Sequence, residues 1–170
     1  MIKERLNANP LLLQIPIGSE ASYQGIIDLV ENKAWRFDGD PDSEPLEIVI
    51  PESEQVACIE SREALIEKLA ELDDQIMIAY LSGNSITAAE LKLALRRVTL
   101  ANKGVPILCG SALKNKGIRP LLDAIISYLP SPLDMPPVKA IDIRKGIKVT
   151  RSASDDAPFS ALAFKVVSDP

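Results

Sequence analysis

Three groups of residues in this chain have types and spacings that could do chemistry. The first is the loop Gly110-Ser111-Ala112-Leu113-Lys114-Asn115-Lys116-Gly117. It follows the apolar run Val105-Pro106-Ile107-Leu108-Cys109, and open α/β sheets bind ligands at the carboxyl ends of such strands. Small residues there let a planar ring approach the backbone, whose N–H groups can donate to a carbonyl oxygen. A tight strand-to-helix connection with no ligand uses the same residue types and, on the residues alone, is the commoner reading. The second group is Glu60, Glu63, Glu67, Glu71 and Asp74, spaced to fall on one face of a helix, opposite Cys58, Leu65, Leu69, Leu72 and Ile76. Like charges stacked in this way repel by about tenths of a kcal/mol per pair. A basic partner surface would offset that repulsion, and a solvated helix face is the simpler alternative. The third group, the adjacent carboxylates Asp73-Asp74 and Asp155-Asp156, has the residue type for hydrolysis. Their placement on a helix surface or in a linker assigns them no catalytic role.

What is absent narrows the chemistry further. The chain of 170 residues has no histidine, so the commonest general base and the commonest zinc ligand are both missing. Its two cysteines, Cys58 and Cys109, match no metal spacing and are expected to be buried, reduced thiols. No metal site and no catalytic residue is assigned. There is no G-x-x-x-x-G-K-[ST] loop and no D-x-x-G, and neither Asn102-Lys103-Gly104 nor Asn115-Lys116-Gly117 leads into the aspartate of a guanine-reading N-K-x-D. Phosphoryl transfer would therefore lack both positioning and charge neutralisation. The net charge of −5 disfavours a direct grip on nucleic acid, which depends on neutralising phosphates. A role on a nucleic-acid machine would have to run through protein contacts. No apolar run approaches membrane-spanning length, and no signal region follows Met1. The reduced thiols fit a cytoplasmic or organelle-matrix compartment.

The elements that must position these groups follow from periodicity. Leu11 to Ile17 reads as a strand, and Gly25 to Phe37 as a strand pair or one bent strand. Gly39 to Pro45 is a polar turn, and Leu46 to Ile50 a further strand. A helical period runs from about Glu52 to Leu81 and ends at Ser82-Gly83-Asn84. Thr87-Ala88-Ala89-Glu90 is a capping box that opens a helix with Leu91, Ala94, Leu95 and Val98 inward. Val105 to Cys109 reads as a buried strand of the parallel-sheet kind, and Ile118 to Leu129 as an amphipathic helix. The proline-rich stretch 130–137 reads as an extended linker and a domain boundary, and Ser160 to Val167 as a new strand. The fold class is α/β: an α+β insert with a mainly antiparallel sheet and helices, plus one βα unit of a doubly wound sheet.

Five strings now become informative together. Gln14-Ile15-Pro16-Ile17-Gly18, Gly25-Ile26-Ile27-Asp28-Leu29-Val30, Cys109 through Gly117, Tyr128-Leu129-Pro130-Ser131-Pro132-Leu133-Asp134 and Pro158 through Lys165 resemble, in order, bacterial-type elongation factor G. Ribosome-protection proteins and the release-factor-three type share the GTPase core but fit the insert and the Ser-Pro linker less well. The resemblance implies residues 1–10 as a remnant of the GTPase domain and 11–101 as its inserted G′ subdomain. It implies 102–130 as the last strand and helix of that domain, 131–156 as linker and 157–170 as the first strand of β-barrel domain II. The phosphate loop, switch regions and N-K-x-D would lie upstream of Met1. Ser111, Ala112 and Leu113 map onto the family's S-A-x element, whose backbone would contact the guanine O6. The helix with Glu60, Glu63, Glu67, Glu71 and Asp74 would dock the multi-copy ribosomal stalk protein. GTP and Mg²⁺ would belong to the full-length parent, with none bound by this chain alone. A free-standing adapter derived from the insert is the alternative.

Overall fold

The computed structural model describes residues 2–40 and 43–167; Met1, Pro41, Asp42 and Ser168–Pro170, which fall in the stretches read above as N-terminal remnant, polar turn and final strand, lie outside the described residues. Two compact units, Met1–Leu129 and Pro130–Pro170, make up the chain. The first begins with a short helix, α1 (Ile2–Leu6), and then β1 (Pro10–Leu12) and β2 (Gln14–Ile17). The run read as one strand is thus two, and they belong to different sheets. β1 pairs in parallel with β6 (Val105–Ile107), whereas β2 opens an antiparallel sheet of order β2-β3-β4-β5. Pro16 sits in β2, the edge strand, where a missing N–H costs no ladder bond.

β3 (Gly25–Asp28) and β4 (Lys33–Arg36) form a hairpin, and β5 (Leu46–Ile48) completes the sheet. Asp28 makes the tight turn between β3 and β4. Its Oδ1 accepts the amides of Val30 at 2.8 Å and Glu31 at 2.9 Å, and Asn32 takes the left-handed conformation that this residue tolerates. Gly25 is required by close approach, because a Cβ there would lie 2.0 Å from the Trp35 carbonyl oxygen.

One face of this sheet packs on α2 (Glu52–Leu72), α3 (Asp74–Leu81) and α4 (Ala88–Leu100). The core holds Ile27, Leu29, Leu65, Leu69, Leu91 and Leu95, all essentially inaccessible. Arg62 on α2 donates to the carbonyls of Leu29 and Val30, tying the helix to the β3–β4 turn. The capping box of α4 is present: Glu90 N donates to Thr87 Oγ1 at 3.3 Å and Thr87 N to Glu90 Oε2 at 2.8 Å.

The single helix expected over 52–81 is broken. Asp73 leaves helical geometry at φ −136°, and its carboxylate caps α3 by accepting from Gln75 N and Ile76 N, each at 3.2 Å. β6 is also less enclosed than a central parallel strand, with Val105 45% exposed. Among the described residues it is flanked by β1 alone. α5 (Ile118–Tyr128) buries Tyr128 and leaves Leu121, Leu122, Ile125, Ile126 and Leu129 exposed.

In the second unit, the stretch read as linker contains a hairpin of β7 (Val138–Asp142) and β8 (Ile147–Arg151), turned through Gly146 at φ +64°. Residues 158–167 form no strand. A strand exists by virtue of its ladder, and no described segment supplies one there.

Candidate functional site

The loop Gly110–Gly117 stands at the carboxyl end of β6, as its sequence predicts. Ser111 and Lys116 close its neck: Ser111 N donates to Lys116 O at 2.8 Å, and Lys116 N to Ser111 O at 3.0 Å. Between them residues Ala112–Lys114 form one 3₁₀ turn, in which Lys114 N donates to Ser111 O and Asn115 N to Ala112 O. The amides of Ala112 and Leu113 therefore occupy the open first positions of the turn, where a helix leaves its donors without intrahelical partners. The Ser111 amide, by contrast, is committed to the neck. Leu113 is 99% exposed. Asn115 and Gly117 both take positive φ to return the chain into α5, and a Cβ on Gly117 would stand 2.9 Å from Cys109 O.

The loop is gripped from the insert sheet. Cys109 N donates to Gln14 Oε1 at 3.3 Å, Lys116 Nζ to Tyr23 O at 2.9 Å, and the Tyr23 hydroxyl to Cys109 O at 3.5 Å. Tyr23, Ile26 and Phe37 form a second apolar cluster on which Trp35 and Cys109 pack. Burial pushes the Tyr23 hydroxyl to about 12 and the Cys109 thiol to about 11. Both cysteines are free and protonated at neutral pH, Cys58 buried and Cys109 half-buried.

Glu60, Glu63, Glu67 and Glu71 lie exposed along α2, and Asp74 is exposed at the start of α3, beyond the helix break. The Tyr80 hydroxyl of α3 donates to Glu67 Oε1 at 3.1 Å, and that bond together with the Glu67 charge raises its pKa. The exposed apolar residues Val56 and Ile59 of α2, with Met77 and Ile78 of α3, lie on the same two helices. The pattern of acids alone did not reveal this second component.

A cleft of about 430 Å³ between the insert sheet, α4 and α5 escaped sequence reasoning. Its cations are matched by carboxylates: Lys33 to Glu47 at 2.9 Å, Lys92 to Glu31 and Arg119 to Glu44. Asp28 lies in its wall, with burial pushing its carboxyl above the ordinary range. The lining mixes charges from distant segments, so no spacing in the sequence announces it. Among the described residues no group of His, Cys, Asp and Glu is arranged to hold a metal ion.

These elements define a mixed α/β chain in which an antiparallel, helix-backed insert is spliced into a parallel strand pair that carries a ligand-type loop. A crystal structure from Thermus thermophilus shares this fold with a TM-score of 0.66 at 24% identity, over 88% of this chain and 23% of that one. Two curated relatives named Elongation factor G, from Dehalococcoides mccartyi strains BAV1 and CBDB1, are each 50% identical over 171 residues, covering 100% of this chain and 24% of the relative. Along its entire length the chain is similar to a segment of these elongation factor G proteins, and it spans about a quarter of the length of the curated relatives it matches. No protein-family model matches it. No described helix is long and apolar enough to cross a membrane.

Proposed function

We propose that this chain serves as the insert-and-guanine-loop segment of a ribosomal translocation GTPase, contributing base recognition and a partner surface but no hydrolytic group. The observation that carries this reading is the 50% identity to elongation factor G along the entire chain. In this reading residues 11–101 are the G′ insert and 102–130 the closing strand and helix of the GTPase domain. The amides of Ala112 and Leu113, at the open end of the 3₁₀ turn, donate to the guanine O6, and Ser111 shapes the neck that presents them. GTP and Mg²⁺ would be held mainly by phosphate-binding residues that this chain does not contain.

The acidic face of α2 and the start of α3 then faces the ribosome through the basic, multi-copy stalk protein. Support comes from the exposure of all five acids and from apolar side chains on the same two helices, since interfaces combine charge steering with desolvated apolar contact.

The test is Ala112→Pro in full-length elongation factor G carrying this segment. Ser111 is extended at φ −130°, ψ 98°, a conformation that accepts a following proline, so the change removes one N–H with little distortion. GDP affinity should fall about fivefold to tenfold, the cost of one directed hydrogen bond. Unchanged affinity would refute the guanine assignment. Calorimetry on the isolated chain should detect no GTP binding, and tight binding there would overturn the wider reading.

A further inference from the structure

The loop of residues 109–117 is held from outside its own stretch of chain. Gln14 and Tyr23, both on or beside the insert sheet, reach it across more than 80 residues of sequence, through Cys109 N, Cys109 O and Lys116 Nζ. Gln14 is only 3% exposed, so its carboxamide is fixed by its surroundings and holds the Cys109 amide from a buried position. Lys116 occupies the neck directly below the 3₁₀ turn. The bond from its ammonium to Tyr23 O therefore fixes the same residue whose backbone pairs with Ser111. A short, exposed loop would otherwise have to be ordered at the moment of binding, at an entropic cost that lowers affinity.

We propose that Gln14, Tyr23 and Lys116 are positioning residues through which the insert sheet holds the 109–117 loop in its base-binding shape, so that the insert sets the tightness and selectivity of guanine recognition. This rests on the assignment of Ala112 and Leu113 to the guanine O6 given above. The insert is then part of the nucleotide site's scaffold, although none of its side chains touches the base.

The experiment uses full-length elongation factor G carrying this segment. It measures the release of fluorescent GDP by stopped flow and the preference for GDP over 2,6-diaminopurine riboside diphosphate, which carries an amino group in place of O6. Lys116→Met and Gln14→Leu should each speed GDP release about fivefold and erode the base preference by a similar factor, the scale of one lost hydrogen bond. Lys116→Arg keeps a donor and should restore most of both, and Tyr23→Phe should have the smallest effect because its bond is long. A purely structural role predicts a lowered melting temperature with the base preference intact, and that result overturns the proposal. Ala112→Pro separates the two assignments. If it alters base preference while Lys116→Met and Gln14→Leu do not, the positioning role is refuted and the loop assignment stands. If Ala112→Pro also leaves the preference unchanged, both are refuted. Should Gln14→Leu fail to fold, Lys116→Met decides, since its side chain is only partly enclosed.

Discussion

Arg97 of α4 clasps Asp73 with two hydrogen bonds, Nε to Oδ2 at 2.7 Å and Nη2 to Oδ1 at 2.9 Å. The same carboxylate caps α3, so one side chain ends α2, starts α3 and fastens both to α4. Asp73 is 8% exposed, and such a buried carboxylate is tolerable because its oxygens are matched by fixed donors.

Replacing Asp73 with alanine removes the cap and the pair together and should cost about 2 kcal/mol in urea denaturation. Asp73→Asn keeps an acceptor for the cap and should cost about 1 kcal/mol, since Arg97 is partly solvated. The hydrogen bonds from Arg97 hold the Asp73 carboxyl below the ordinary range, against the opposing effect of burial. Its stabilisation is therefore present at neutral pH and is lost as pH falls from about 4 through the lowered folded value. The gap between wild type and Asp73→Asn should narrow when the same curves are recorded near pH 3.

Asp28 makes the opposite case. Burial raises its carboxyl pKa despite two amide donors. A raised carboxyl stabilises the fold fully below the unfolded value and loses that contribution as pH rises through the folded one. Asp28→Asn retains Oδ1 for Val30 and Glu31 and removes the desolvated charge. In urea denaturation at pH 7 it should add less than about 1 kcal/mol of stability, with the gain disappearing toward pH 3.

Gly117 combines φ +79° with a carbonyl oxygen 2.9 Å from the site of any added Cβ. Gly117→Ala should destabilise the chain by about 1–3 kcal/mol and broaden the NMR signals of residues 110–117. Gly83 also has positive φ, at +69°, but nothing lies within 4 Å of its Cβ position. Gly83→Ala should cost less, and the difference between the two variants reports the contact with Cys109 O.

Charge reversal tests the proposed partner surface. Glu63→Lys with Glu67→Lys should leave the stability within about 0.5 kcal/mol of wild type, since both are exposed. The double variant should weaken binding of purified stalk protein and flatten its salt dependence in surface plasmon resonance. Binding unchanged by the reversal would remove this face from consideration.

Local rules were legible wherever a side chain's role depends on its neighbours in sequence. The Thr87–Glu90 capping box, the inward set Leu91, Ala94, Leu95 and Val98, and the strand pair within Gly25–Phe37 all follow from spacing. What escaped was decided by distant partners. Leu72-Asp73-Asp74 sits inside an unbroken apolar period, and only Arg97, 24 residues on, makes a helix break at Asp73 favourable. The β7–β8 hairpin was hidden because the proline-rich stretch before it suggested an extended linker, although Gly146 and the alternating 147–151 strand were available signals. α5 shows the limit of periodicity, which identifies an apolar face without showing what covers it. For residues 110–117 the sequence placed a strand-to-helix loop between β6 and α5, where the structure has it. The hold exerted by Gln14 and Tyr23 on it is a property of the fold.

Leu13 joins β1 to β2 as a single residue, and it is bonded into both sheets. Its N–H donates to Ile107 O and its carbonyl accepts from Leu29 N, each at 2.9 Å. An insert attached through flexible linkers would swing as a tethered weight and melt on its own. At Leu13 there is no such linker: the parallel pair and the antiparallel sheet meet across one residue, so a twist of one is passed to the other through a single hydrogen-bonded joint.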